Sequence, residues 1–195
     1  MILEYVIIAV YTISLVLILL YALAQLNLLF NYLKAQKKED TCPKFDFSNH
    51  EEIPYVTIQL PVFNELYVME RLLANIAKLK YPSEKLEIQV LDDSTDESII
   101  STKKQIEELQ KKGLDIQHIR RENRQGFKAG ALKEGLKIAK GEYIAIFDAD
   151  FLPQEDWLLQ TIPYFKNPEI GVVQTRWGHI NRNYSTLTKI QAFAL

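Results

Sequence analysis

The sequence predicts an α/β fold, with a mainly parallel β-sheet covered by helices on both faces and one transmembrane helix before it. Three observations support this prediction. Apolar runs typical of strands alternate with segments of helical periodicity from about residue 55 onward. Polar motifs follow several of those strands, where parallel sheets place their ligand sites. An uncharged apolar run lies near the start of the chain.

The first element is this apolar run, Val6–Ala24, which as a helix would be about 28 Å long, close to the hydrocarbon thickness of a bilayer. We therefore predict a transmembrane helix within residues 1–33. The alternative is a cleaved signal peptide, because Ala22-Leu23-Ala24 has the small residues of a cleavage site. Glu4, and no Lys or Arg, precedes the run, and apolar residues continue past the supposed site, which favours the anchor.

Residues 34–53 are polar and charged and indicate a linker to a domain at 54–195. By the positive-inside tendency, the lysines after the helix place that domain in the cytoplasm. These are Lys34, Lys37 and Lys38.

Composition excludes several classes of protein. The net charge of -2 leaves no basic footprint, so we expect no nucleic acid as a partner. The single cysteine, Cys42, cannot form an intrachain disulfide, which agrees with a reducing compartment. The three histidines, His50, His118 and His179, lack the short spacing of a local zinc site, and we expect them on the surface or in loops.

The first predicted strand, Tyr55–Val62, is apolar at alternate positions and then wholly apolar. It leads into Pro61-Val62-Phe63-Asn64-Glu65. The helix after it has apolar residues at helical spacing and stops before Pro82. Those apolar positions are Val68, Leu72, Ile76 and Leu79.

The second predicted strand, Glu87–Leu91, runs into Asp92-Asp93-Ser94-Thr95-Asp96, whose Asp and Ser residues are good N-caps for the next helix. Gly113 ends that helix, and Asp115–Ile119 is the third predicted strand. The apolar positions of the helix are Ile99, Ile106 and Leu109.

A basic loop at 120–130 then enters a helix that Gly141 ends. The apolar, β-branched and aromatic run Gly141–Phe151 predicts a buried strand that stops at two carboxylates. One face of the helix is expected to carry Leu132, Leu136 and Ala139.

A helix around Gln154–Phe165 and a last strand at Gly171–Thr175 complete the predicted β-α alternation. The first strand is not followed by a glycine-rich turn, so the dinucleotide fingerprint is absent, and the sequence contains no G-x-x-x-x-G-K-[ST] motif. A carboxylate pair and a basic loop still indicate a phosphate ligand. A nucleotide sugar held through a metal is therefore a better hypothesis than a dinucleotide or a P-loop nucleotide.

The carboxylate pair is Asp148 and Asp150, which point to the same side if strand geometry persists through both. Two such charges repel unless a cation lies between them, and Mg²⁺ or Mn²⁺ bridging to phosphate oxygens fits this need. The alternative is a strand end followed by an Asp-capped helix.

Four motifs occur in order at predicted strand ends. They are Pro61-Val62-Phe63-Asn64-Glu65, Asp92-Asp93-Ser94-Thr95-Asp96, Arg124-Gln125-Gly126-Phe127-Lys128-Ala129-Gly130-Ala131-Leu132 and Asp148-Ala149-Asp150. Together they resemble a family 2 glycosyltransferase of the GT-A fold, a Rossmann-like sheet, and the resemblance runs from about Tyr55 to the end. The run Val173-Gln174-Thr175-Arg176-Trp177, with Asn181 and Gln191, is similar to the cellulose synthase-like branch that makes β-1,4-glucans and mannans.

The resemblance implies roles for individual residues. Asp93 would accept hydrogen bonds from the base or ribose, and Lys128 would meet the diphosphate. Asp148 and Asp150 would hold Mg²⁺ or Mn²⁺ on that diphosphate. The implied nucleotide-sugar-binding set is Pro61, Asn64, Glu65, Asp93, Arg124, Lys128 and Asp148. The alternatives are helix capping for Asp93 and a solvated basic loop for Lys128.

The implied reaction is metal-dependent, inverting transfer of a hexose from a UDP-glucose or GDP-mannose type donor to a growing β-linked polysaccharide. Gln174, Arg176 and Trp177 are candidates for the acceptor side, although this run is one residue too short for Q-x-x-R-W. Trp157 is a candidate for stacking on a sugar ring, or else a core residue.

The general base of the family lies in a later T-E-D type segment and is expected beyond Leu195, so the domain is expected to be incomplete at its C-terminus. Two alternative functions stay open. One is transfer of a single sugar to a lipid phosphate acceptor. The other is a membrane-anchored fragment that binds nucleotide sugar without catalysis.

Overall fold

The computed structural model describes residues 2–35, 47, 49, 51–176 and 178–194. The chain divides into two compact units, Met1–Cys42 and Pro43–Leu195. The predicted linker, 34–53, lies largely outside the described residues. The predicted domain boundaries stay predictions.

The first unit contains one long helix, α1 (Ile2–Ala35), with none of its described side chains buried. An 18-residue window within it has a mean hydropathy of 2.7, so α1 is long and apolar enough to cross a membrane. Two of its hydroxyl groups are satisfied within the helix, because Thr12 and Ser14 donate to the carbonyls of Ile8 and Val10. Such bonds leave no polar donor of these side chains facing outward.

The second unit is built on four parallel strands in the order β3-β2-β1-β4. The strands are β1 (Val56–Val62), β2 (Leu86–Asp92), β3 (Asp115–Arg120) and β4 (Tyr143–Ile146). The helices are α2 (Met69–Ile76), α3 (Ser98–Lys111), α4 (Phe127–Leu136), α5 (Trp157–Thr161) and α6 (Thr186–Ala194), with 3₁₀ turns at Ser83–Lys85 and Ile162–Lys166. The predicted α/β fold with a mainly parallel sheet is confirmed.

One face of the sheet is apolar and forms the core with α2 and α3. Alternate residues of the central strands, such as Ile58 and Ile88, are fully buried there. They pack with Leu72 of α2 and Ile106 of α3 in one cluster. Each such side chain contributes about 2 kcal/mol by leaving water.

The opposite face of the sheet is polar, and α4 covers it. Thr57 donates its hydroxyl to Glu87 at 2.7 Å, and the Gln59 amide donates to Gln89 at 3.0 Å. The Gln117 amide donates to the other oxygen of Glu87 at 3.1 Å. Close approach of α4 requires Gly135, because a Cβ there would lie 2.6 Å from the Gln59 amide nitrogen.

The predicted face of α4 is wrong at one position. Leu136 is 58% exposed, and the buried residues of this helix are Ala131 and Gly135. Apolar spacing points toward Leu136, but the polar sheet surface beneath α4 admits only small side chains at close distance. Leu132 is half-buried, as is Ala139 beyond the helix end.

The C-terminal strands also differ from the prediction. β4 covers only Tyr143–Ile146, and Ile146 is 48% exposed, so the run Gly141–Phe151 is not one buried strand. Among the described residues β4 pairs only with β1, which makes it an edge strand. Residues 171–175 form no strand in the described part of the chain, because an alternating pattern without a ladder partner does not make one.

Candidate functional site

The carboxyl ends of β1, β2 and β4 lie side by side, because β1 sits between the other two strands. From β1 the chain adds β2 and then β3 on one side of β1, and it then adds β4 on the other side. Parallel sheets bind ligands at the point where the strand order reverses in this way. The backbone N–H of Asp93 donates to the Val62 carbonyl at 3.1 Å, so pairing continues past the strand ends. The motifs after these strands therefore share one edge.

Asn64 bridges the loops after β1 and β2. Its backbone has φ 55, in the left-handed region. Its N–H donates to the Ser94 hydroxyl at 2.8 Å, and its side-chain oxygen accepts from the N–H of Thr95 at 2.9 Å. Pro61 lies within β1, and both Pro61 and Glu65 are half-buried.

Asp92 and His118 form a buried pair beneath these loops. The His118 Nε2 lies 2.7 Å from one carboxylate oxygen of Asp92, with the side chains 14% and 1% exposed. The other oxygen accepts from the N–H of Ser94 at 2.9 Å. Burial acts to raise the pKa of Asp92, but the hydrogen bonds from His118 and Ser94 outweigh it and hold the pKa below its usual value.

The expectation that His118 is a surface or loop residue is wrong. It lies on β3 opposite Val90, on the face that carries the apolar core. The sequence signal was available, since His118 falls within the predicted third strand. Its carboxylate partner, Asp92, belongs to another strand, so the pair cannot be found from the spacing of neighbouring residues in the sequence.

Asp93 is held by Arg121, a residue that the sequence analysis missed. The Arg121 Nε donates to one oxygen of Asp93 at 2.8 Å, and Nη2 bonds the other oxygen. The two side chains are only 12% and 7% exposed. The bond to Asp93 raises the pKa of Arg121 above its ordinary value.

The β3–α4 loop is tightly folded around two glycines. Gly126 has φ 73 and Phe127 has φ 48, so two successive residues lie in the left-handed region. A Cβ on Gly130 would lie 2.0 Å from the Gln125 carbonyl oxygen. Lys128, the second residue of α4, lies between these two glycines in the first turn of the helix.

The loop places two cations at the edge. The Arg124 Cζ lies 3.3 Å from the centroid of the Phe63 ring, and its Nε lies 4.0 Å from Asp93. The Lys128 ammonium bonds Asp148, so the structure joins α4 to the end of β4. Of the predicted donor residues, contacts link Arg124 to Asp93 and Lys128 to Asp148.

The carboxylate pair sits on a turn and not on a strand. β4 ends at Ile146, and the N–H of Phe151 donates to the Asp148 carbonyl at 3.0 Å. Strand geometry thus does not continue to Asp150, which is exposed. Within the described ranges, no group of three His, Cys, Asp or Glu residues lies close enough to hold a metal ion. Two carboxylates offer hard oxygen ligands, which suits an ion completed by phosphate oxygens.

The acceptor-side candidates are placed only in part. Gln174 and Arg176 are exposed, and Trp177 lies outside the described residues. Trp157 packs edge-on against Phe147 with ring centroids 4.8 Å apart, and its indole N–H donates to the Thr175 hydroxyl at 3.1 Å. Trp157 thus packs against the core while staying half-buried, and its stacking on a sugar stays a prediction.

Comparison with known proteins agrees with this architecture. The family model described as glycosyl transferase family 2 matches residues 57–193. The probable glucomannan 4-beta-mannosyltransferase 11 of Oryza sativa subsp. japonica is 46% identical over 147 residues, covering 73% of this chain and 26% of that protein. Glucomannan 4-beta-mannosyltransferase 2 of Arabidopsis thaliana is 42% identical over 174 residues, covering 82% and 32%.

A solved structure shows the same fold. The mannosyltransferase PcManGT from Pyrobaculum calidifontis, in complex with GDP-Man and Mn²⁺, is 33% identical with a TM-score of 0.62, covering 73% of this chain and 41% of that one. The chain spans 26% and 32% of the two plant relatives. Because the family model covers most of the chain, the chain belongs to glycosyl transferase family 2, in its cellulose synthase-like branch and with the GT-A fold.

Proposed function

We propose that this chain forms the donor half of an inverting, membrane-bound hexosyltransferase that uses a GDP-mannose type nucleotide sugar to extend a β-linked polysaccharide. The observation that carries the proposal is the contact between Lys128 and Asp148. It joins the phosphate-binding candidate on α4 to the metal-binding candidate after β4. The plant relatives are named as mannosyltransferases and PcManGT is bound to GDP-Man, which supports mannose over glucose.

The start of α4 suits a diphosphate. A helix N-terminus carries partial positive charge and free N–H groups, and Lys128 adds a full charge in the first turn. Arg124 adds a second cation on the loop before it. These groups stabilise the negative charge that develops on the nucleoside diphosphate as the bond to the sugar breaks.

Asp148 and Asp150 would hold Mg²⁺ or Mn²⁺ at this site. The ion, when bound, supplies a Lewis acid that stabilises the leaving diphosphate. Asp148 bonds Lys128 through one carboxylate oxygen, which would leave its other oxygen for the ion. The exposure of Asp150 leaves it accessible from solvent as a direct ligand.

The proposed membrane location is supported by α1. A helix that is apolar on every side and carries Lys34 in its last turn would anchor the domain at the cytoplasmic surface. An acceptor hydroxyl attacks the sugar from the face opposite the diphosphate and inverts its configuration.

The test is calorimetric titration of the full chain in detergent micelles with GDP and with UDP, each with and without Mn²⁺. We expect Mn²⁺-dependent GDP binding that is at least about tenfold weaker in Asp150→Asn, since a charged ligand contact is lost. Glu169→Gln, an exposed carboxylate outside the site, should bind like the wild type. The proposal would be overturned if GDP binding were unaffected by Mn²⁺ and by Asp150→Asn, or if the folded protein bound no nucleotide.

A further inference from the structure

Ser94 joins three elements of the donor edge. Its hydroxyl accepts the N–H of Asn64 at 2.8 Å, and its carbonyl accepts from Arg120 of β3 at 2.9 Å. Its N–H donates to Asp92 at 2.9 Å. The position of Asn64 therefore depends on Ser94, and that of Ser94 depends on Asp92.

Asp92 is in turn fixed by His118 at 2.7 Å. An ionised carboxylate only accepts hydrogen bonds, so Nε2 of His118 carries the proton of this bond. Asp92 is 1% exposed, so water cannot replace the imidazole without movement. A buried carboxylate oxygen that loses its donor costs the full desolvation of that group, and the side chain must turn or take up a proton.

We propose that His118 is a positioning residue for the donor site, acting through Asp92 and Ser94 to hold Asn64 in its left-handed conformation. The inference rests on the proposed function, because Asn64 bears on donor binding only if this edge takes a nucleotide sugar. Among the described residues, the His118 ring hydrogen-bonds Asp92, which is not one of the proposed nucleotide-sugar-binding residues. Its effect travels through hydrogen bonds of 2.7, 2.9 and 2.8 Å.

Two substitutions separate the hydrogen bond from the bulk of the ring. His118→Gln places an amide nitrogen near the position of Nε2 and keeps a donor for Asp92. His118→Leu keeps a large side chain but removes the donor. In the full chain in detergent, we expect His118→Leu to weaken Mn²⁺-GDP binding about tenfold or more, and His118→Gln to stay within about threefold of the wild type.

A matched control removes a different hydrogen bond to the strand that carries His118. Gln110 of α3 donates to the carbonyl of Ile116 at 2.7 Å, without contact to Asp92. Gln110→Leu should lower the melting temperature while leaving GDP affinity unchanged. A loss of affinity in this control as large as in His118→Leu would show a general structural effect and overturn the proposal.

A second measurement needs no nucleotide. Amide hydrogen exchange at Asn64 and Thr95 should accelerate in His118→Leu and not in His118→Gln or Gln110→Leu, because both amides donate within this network. If the wild type binds neither GDP nor UDP, the proposed function fails while the exchange result still decides the role of His118. Unchanged exchange in His118→Leu, or equal acceleration in His118→Gln, would overturn it.

Discussion

Arg121 donates two hydrogen bonds to the carboxylate of Asp93, one of them from Nε at 2.8 Å. The same guanidinium donates to the carbonyls of Gln125 at 2.9 Å and Phe127 at 3.1 Å. One side chain thus ties the end of β2 to the loop that begins α4. Because Lys128 follows directly, its position depends on this contact.

Replacing Arg121 by Lys should destabilise both the fold and the site. A lysine ammonium has no planar fork and cannot reach the four acceptors that Arg121 satisfies. We expect a loss of about 3 kcal/mol in unfolding free energy, measured by urea denaturation, with weaker GDP binding. The control is Lys137→Ala, which breaks an exposed pair with Glu134 and should change the unfolding free energy far less than the Arg121 substitution. Equal losses in both variants would contradict the prediction.

Gly130→Ala should disrupt the β3–α4 loop. The added Cβ would lie 2.0 Å from the Gln125 carbonyl oxygen and 2.6 Å from Nη1 of Arg121, so the loop must shift. We expect a lower melting temperature and loss of nucleotide binding. Gly171→Ala meets nothing within 4 Å and should match the wild type. A Gly130→Ala protein with wild-type affinity would show that the loop tolerates the shift.

Asp92 should contribute a stability that disappears in acid. Its pKa is lower in the folded protein than in the unfolded chain, where it returns to about 3.9. The contribution is therefore complete above that value and lost as the pH falls through the folded pKa. In Asp92→Asn, unfolding free energy should fall by about 1 to 3 kcal/mol at pH 7 and change less between pH 5 and acid.

Urea unfolding of the wild type and Asp92→Asn at a series of pH values measures this difference. Glu107→Gln, an exposed substitution on α3, should keep the pH dependence of the wild type. A profile for Asp92→Asn that parallels the wild type would mean that other carboxylates set the acid response.

Glu87 should be irreplaceable by its amide. Its carboxylate accepts from Thr57 at 2.7 Å, from Gln117 at 3.1 Å and from the N–H of Lys140 at 2.9 Å. In Glu87→Gln one acceptor oxygen becomes a donor that faces other donors. We expect a loss of about 1 to 3 kcal/mol in unfolding free energy. No loss of stability in Glu87→Gln would contradict the prediction.

The sequence predicts the central part of the fold well. β1, β2 and β3 lie close to their expected positions, because each has a dense apolar run with turn residues on both sides. The strand predicted at residues 171–175 fails because ladder pairing depends on a neighbour that periodicity does not reveal. The wrong prediction for the buried face of α4 has a similar cause, since the polarity of the sheet beneath the helix is known only from the tertiary structure.

The sequence predicts which motifs lie at the candidate site but not which of their side chains contact one another. The motifs containing Asn64, Asp93 and Lys128 stand at one edge, as strand order requires. Arg121, Ser94 and His118 were missed as site residues, because their partners lie 26 or more positions away along the chain. Such pairs appear only after the strands are brought together. The ligand roles of the predicted residues stay predictions.

The contrast between the two faces of the central strands has a consequence for how the domain reaches its native state. Side chains alternate strictly, so sliding β2 by one residue against β1 would exchange its faces. Glu87 and Gln89 would then enter the cluster around Ile58, with no hydrogen-bonding partners there. Mispaired sheets of this chain are therefore penalised by buried polar groups as well as by lost apolar contacts, and a single alignment of the strands is selected.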